Sequence, residues 1–300
     1  MRNLIRIIFY GNIFYGICAV ALCIETNLAH HVSLNDFPFY VLIFFCTCLY
    51  YTMIYVRSAG AKNYDERTLW YRRHLQLIKL TLKVILALVV IFILYLLLKN
   101  LHAFYWFSPF QWLLILAFPL IAALYTFKIP FFYFTKIRQV GWLKPFVVGF
   151  TWSGWVTAYP LLVWQAQRGD ATKSAVIPFG LFWLQNFLFI SILAIIFDIK
   201  DYRTDMRSNL NTYAVKLGIT NTFRYVIYPA VIFNIAILFL FQRQQNYLPV
   251  QTVIQIIPYV LLTWVILTYR EPRKVLYYLV AIDGLMFLKA MCGIISISFF

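Results

Sequence analysis

Charge is what this sequence has least of. Only 12% of its 300 residues are Asp, Glu, Lys or Arg, against 63% apolar and 20% aromatic, a balance far outside that of soluble domains of this size. That scarcity excludes a water-soluble globular chain and makes this an integral membrane protein. Thiol and imidazole ligands are also thin. The five cysteines sit in apolar runs, and Cys46 with Cys48 has the wrong spacing for a structural zinc site, so they read as small apolar side chains. His30 and His31 are adjacent, with no other ligand near them in the sequence, and make no metal site. No low-complexity segment, internal repeat or soluble domain interrupts the chain, which reads as a single transmembrane domain over 1–300. The first apolar run follows Arg2 and Arg6 as in a signal peptide but has no clear small-residue cleavage site, so it stays as the first span.

What is abundant is long apolar sequence. Stretches able to cross about 30 Å of hydrocarbon recur nine times, at 8–24, 38–57, 81–99, 109–127, 145–165, 176–197, 223–241, 250–269 and 275–297. The prediction is an all-α polytopic bundle. The net charge of +16 raises nucleic acid as a partner, but the bases follow membrane orientation instead. Twenty-one Lys and Arg fall in the segments on one side and four on the other, with Lys289 inside the last span. By the positive-inside rule the N-terminus is cytoplasmic and the C-terminus outside, in a bacterial-type plasma (inner) membrane.

The few acids are concentrated. Asp198 to Gly218 reads DIKDYRTDMRSNLNTYAVKLG, with Asp198, Asp201 and Asp205 at i, i+3 and i+7. On a helix turning about 100° per residue the three lie within roughly 60° of arc, and Asn209 and Thr212 continue the stripe. Lys200, Arg203 and Arg207 fall on the opposite side, so no base stands at i±3 or i±4 to neutralise an aspartate. Clustered carboxylates without local partners favour a shared cation or a raised pKa. Hard oxygen ligands beside a membrane suit Mg²⁺ bound together with substrate phosphates.

The order D-x-x-D-x-x-x-D-x-x-x-[G]-x-x-T-x-x-V-x-x-G resembles the second aspartate-rich motif of the UbiA family of intramembrane prenyltransferases. Asp198, Asp201, Asp205, Thr212, Val215 and Gly218 match, and Asn209 stands where the family usually has Gly. Asn tolerates a left-handed backbone better than most residues. The resemblance implies a helical bundle with a central cavity open to the cytoplasm, Mg²⁺ on the three aspartates, and a prenyl diphosphate and a lipophilic acceptor as partners.

The family's first motif, N-x-x-x-D-x-x-x-D, belongs in the basic loop after the second span. Asn63 fits its leading position, but Arg67 and Tyr71 stand where the aspartates would be, and the loop's carboxylates are Asp65 and Glu66. These two read either as metal ligands or as a solvated pair beside Lys62 and Arg67. Arg67, binding phosphate oxygens bidentately, would take the place of a second metal. In the next loop, the resemblance puts Tyr125 and Lys128 near the family's diphosphate-binding Tyr and Lys, with spacing one residue short. Lys136 and Lys144 would offset leaving-group charge, although bases in such loops also serve orientation alone.

Aromatics are dense in the fifth and sixth spans, among them Trp152, Trp155, Trp164, Phe182, Trp183 and Phe187. Such faces stabilise an allylic cation and exclude water. Asp283 and Lys289 are ionisable residues inside the last span, where charge faces the bundle interior. About 120° apart, they do not pair with each other, and Asp283 is within reach of Arg270 or the polar site.

The expected function is Mg²⁺-dependent prenyl transfer to an aromatic or quinone-precursor acceptor. A non-catalytic relative that binds polyprenyl or other lipid remains as the alternative, favoured by the broken first motif. A transporter ranks below it, because no Pro- or Gly-broken helix pair marks a midplane site. A CDP-alcohol phosphotransferase is disfavoured because the DG-x-x-A-R opening is absent.

Overall fold

A computed structural model of the chain describes residues 2–58, 66–126, 140–168, 176–268 and 275–300. All regular structure among them is helical. The helices are α1 (Arg2–Tyr10), α2 (Ile13–Ala29), α3 (Phe37–Ser58), α4 (Glu66–Arg73), α5 (Leu75–Lys99), α6 (Leu101–Tyr105), α7 (Pro109–Thr126), α8 (Lys144–Ser153) and α9 (Tyr159–Arg168). They continue as α10 (Val176–Lys200), α11 (Tyr202–Arg207), α12 (Tyr213–Leu217), α13 (Ile219–Thr222), α14 (Tyr228–Gln244), α15 (Pro249–Leu267), α16 (Val275–Tyr277) and α17 (Asp283–Phe299). One π-helical turn joins α8 to α9, another leads into α14 and a third into α17.

Eight helices among the described residues are long and apolar enough to cross a membrane, and α1 with α2 makes a ninth if the bent pair counts as one span. The chain is therefore a polytopic helical membrane protein. Its spans differ in burial. The bundle covers 56% of the most apolar stretch of α10 but 6% of that of α7 and 11% of that of α5, so α10 is central and the other two face lipid. Apolar side chains can stay outside the core in this way because lipid tails solvate them.

The expected first span at 8–24 is not straight. Asn12 takes a left-handed conformation (φ 65°) and the chain turns by 59° there. A Cβ on Gly11 would lie 2.4 Å from the Ile7 carbonyl oxygen, so Gly-Asn is a helix stop placed inside an apolar run.

Two other glycines bring the later site together. A Cβ on Gly149 would lie 2.1 Å from Ser191 Oγ and 2.8 Å from the Phe187 carbonyl oxygen, so α8 and α10 pack almost backbone to backbone. Antiparallel contact there brings Lys144 at the start of α8 beside Asp198 at the end of α10. Gly141 lies just as close to the backbone of Asn211 and Thr212, seating the approach to α8 on the chain that follows the aspartates.

Candidate functional site

The acidic stretch is not one helix. α10 stops at Lys200, the chain turns at Asp201 (φ −89°, ψ 6°), and α11 starts at Tyr202. At its far end the Leu210 N–H reaches the Asp205 carbonyl and the Asn209 N–H the Met206 carbonyl, with Asn209 at φ 52°. These bonds are a Schellman C-cap, and the left-handed residue it needs is Asn in place of the Gly of the resembled motif. Thr212 begins α12, where its Oγ accepts from the Val215 N–H at 3.4 Å. Fully buried, it acts as an N-cap. The stripe expected from Asp198 through Thr212 therefore ends at the turn, because helical periodicity does not carry across a break.

The expectation that no local base neutralises the aspartates is corrected for the same reason. Lys200 pairs with its neighbour Asp201 at 3.1 Å, a contact the turn permits and a continuous helix would not. Lys144 pairs with buried Asp198 at 2.5 Å. Asp205 is buried as well, and its Oδ2 has no hydrogen-bond partner among the described residues. Burial pushes its carboxyl up to about 6, with Lys144 opposing and the charges of Asp198 and Asp201 adding to the rise. Among the described residues no three His, Cys, Asp or Glu side chains converge as a ready-made metal cluster.

Asp198 and Asp201 line a cavity of about 240 Å³ together with Lys144, Lys200, Arg67 and Asp283. Its remaining walls include Tyr15, Tyr51, Tyr55, Trp152 and Phe197. Arg67, from α4, is fully buried. Its Nη1 donates to Tyr55 Oη at 3.0 Å, and its Nη2 donates to the Phe9 and Tyr10 carbonyls, both at 3.3 Å, and to Asn12 Oδ1. The guanidinium lies 3.8 Å over the Tyr55 ring, while Nε is unpartnered. No carboxylate pairs with it among the described residues. Tyr71, one turn on, donates to the Tyr10 carbonyl at 2.9 Å and accepts from Asn12 Nδ2 at 2.8 Å. The two residues standing in for the first motif's acids thus brace the α1–α2 break, and Arg67 also faces the cavity.

Asp283 lines the same cavity and has a buried Oδ2 without a partner. Tyr125, half-buried at the end of α7, is near enough to act on Lys144 electrostatically. Asn63, Asp65, Lys128 and Lys136 lie outside the described residues, as does Arg270. Lys289 does not pair with Asp283. It binds Glu25 of α2, with Nζ 2.9 Å from each carboxylate oxygen.

Sequence reasoning missed Glu25, although a lone acid and a lone base inside two apolar spans are a signal to look for a pair. It also missed the phenols of Tyr15, Tyr51 and Tyr55, the last two marked by their i, i+4 spacing on α3. Of the expected aromatics, Trp152 donates to Tyr51 Oη at 2.5 Å and Trp155 to Thr47 Oγ at 3.1 Å. Both line a second, mostly apolar pocket of about 240 Å³ between α3, α7 and α8, which shares Tyr51 and Trp152 with the first. Trp164 instead bonds Ser33, Phe182 underlies Lys289, and Trp183 stacks on Phe187. The chain matches no family model, and no curated protein or solved structure matches it.

Proposed function

We propose that this protein transfers a prenyl group from a prenyl diphosphate to a lipophilic aromatic or quinone-precursor acceptor, in a UbiA-like bundle whose cavity opens to the cytoplasm. The observation that carries this reading is one cavity in which aspartates, two lysines and a buried arginine meet phenol and indole faces, with an apolar pocket directly beside it. A diphosphate needs the charged end, and an isoprenoid chain needs the apolar one.

Carboxylate oxygens are the donors Mg²⁺ takes, and Asp205 Oδ2 is buried without a hydrogen-bond partner among the described residues, so Asp205 together with Asp198 and Asp201 would hold that ion once the lysines on the latter two give way. Bound there, Mg²⁺ supplies positive charge to the diphosphate oxygens. Lys144 and Lys200 place ammonium groups on the same side, and Arg67, which lines the same cavity, adds an aromatic-backed guanidinium. When the C1–O bond of the prenyl diphosphate breaks, the electron pair leaves on the diphosphate, where these cations stabilise it. The allylic cation left behind is held against Tyr51 and Trp152, whose ring faces attract it and whose packing excludes water. The acceptor carbon then bonds to C1 and releases a proton, which the carboxylate of Asp283, a lining residue of the same cavity, would take.

Purified protein given Mg²⁺, a panel of prenyl diphosphates and lipophilic acceptors should release pyrophosphate. Its thermal midpoint should rise with the diphosphate, since a ligand that binds only the folded state stabilises it. Asp201→Asn and Asp205→Asn should remove both effects. Binding without turnover across the panel would instead establish the non-catalytic lipid-binding alternative, for which the lysines already seated on Asp198 and Asp201 speak. Neither binding nor turnover would sink the proposal. The cytoplasmic placement rests on the count of twenty-one bases against four. Single cysteines at Asn35 and Ser208, in a background without the native cysteines, test it, and labelling of the Ser208 position from outside intact cells would reverse the topology.

A further inference from the structure

A second recess, about 680 Å³, lies between α1 and the corner where α4 meets α5. Arg6, Arg73 and His74 line it, and Glu66, the one acid among its described lining residues, accepts a hydrogen bond from Tyr10 at 3.4 Å. Both arginines are exposed, and neither has an ion-pair partner among the described residues. Beneath these bases the surface is apolar, with Ile7 47% and Leu77 64% exposed. The recess sits where α5, a span that faces lipid along most of its length, begins. Trp70 lies beside His74, ring centroids 5.0 Å apart, an amphipathic side chain of the kind that settles at the membrane interface.

Two guanidinium groups without an ion-pair partner among the described residues, above an apolar floor where a lipid-facing helix starts, match one kind of molecule. A soluble anion has no use for the floor, and a zwitterionic lipid gains little from the arginines. We propose that this groove binds an anionic glycerophospholipid of the bilayer, its phosphate between Arg6 and Arg73 and its acyl chains against Ile7 and Leu77. Tyr10 joins the groove to the site described above, because its ring lines the groove while its carbonyl accepts from Arg67 and Tyr71. A lipid seated here holds the same α1–α4 corner that frames Arg67. The inference does not depend on prenyl transfer and stands if that reading fails.

Native mass spectrometry of the full-length protein, titrated with phosphatidylglycerol or with phosphatidylcholine of the same chains, tests it. One phosphatidylglycerol should be retained with a preference on the order of tenfold, as expected for two bases acting on one anionic headgroup. Arg6→Gln with Arg73→Gln should abolish that preference, while Arg6→Lys with Arg73→Lys keeps most of it. Lys216→Gln with Arg224→Gln removes two equally exposed bases elsewhere and should leave the preference unchanged. Because all four positions are exposed, matched thermal midpoints verify that each variant is folded. Equal retention of the two lipids by the parent, or an equal loss in the Lys216/Arg224 variant, would overturn the site in favour of diffuse attraction.

Discussion

Removing Lys289 leaves Glu25 as an unpaired carboxylate in the middle of the bundle. Both side chains are only 4% exposed, and Nζ is 2.9 Å from each carboxylate oxygen. The fold is built around the pair: a Cβ on Gly293 would lie 2.3 Å from Glu25 Oε1, and Lys289 Nζ sits 5.1 Å above the Phe182 ring. Breaking a buried pair by deleting one partner costs about 3–5 kcal/mol, whereas replacing both with apolar residues of similar volume is often neutral or stabilising. At roughly 2–4 °C per kcal/mol for a chain of this order of size, Lys289→Met should lower the thermal midpoint by about 6–20 °C. Glu25→Leu should do likewise, and Glu25→Leu with Lys289→Met should recover most of the loss. The assay is thermal unfolding of the four proteins in one detergent, read as a double-mutant cycle. Gly293→Ala gives an independent check, since it must displace Glu25 without touching any charge. If each single variant melts within about 2 °C of the parent, or if the double variant is as damaged as the sum of the singles, the charges are not paired as the structure places them.

The backbone fittings after the aspartates predict smaller effects. Asn209→Gly should be tolerated, while Asn209→Val should cost about 1–2 kcal/mol because its φ is 52°, measurable as a lower thermal midpoint. Thr212→Ala should cost about 1 kcal/mol through the lost N-cap, and Thr212→Ser should restore most of it. The Asp205 carboxyl is pushed up to about 6, above the value near 4 of an unfolded aspartate. Its folded form therefore holds a proton that the unfolded chain has released, so stability is greatest below about pH 4 and declines as pH rises through 6. In metal-free buffer this decline is at most about 3 kcal/mol, and Asp205→Asn should flatten it. An unchanged pH profile in that variant would show that other groups cause the slope. Arg67→Ala removes four hydrogen bonds and should lower the melting temperature even without substrate, so its effect on pyrophosphate release is read against Arg67→Lys.

Composition and periodicity along the chain determined a good deal. Apolar runs of this length and number can be satisfied only by membrane-spanning helices, since in lipid each backbone group must bond within its own helix. The left-handed tolerance at 209 was legible too, whereas Thr212, on the helical stripe by its spacing, is the N-cap of a new helix. The reach of a helical wheel ended at Asp201, where the chain turns and brings Lys200 onto its neighbour. The break at Gly11–Asn12 was hidden inside an apolar run that reads as one span over 8–24, because the bend is held by Arg67 and Tyr71 from a helix more than fifty positions away. Only the tertiary structure decided that Arg67 and Asp283 share a cavity with Asp198, and that Lys289 meets Glu25. Those partnerships are set by close helix approaches, such as that of Gly149 to Ser191, and a contact between distant segments leaves no period in either one.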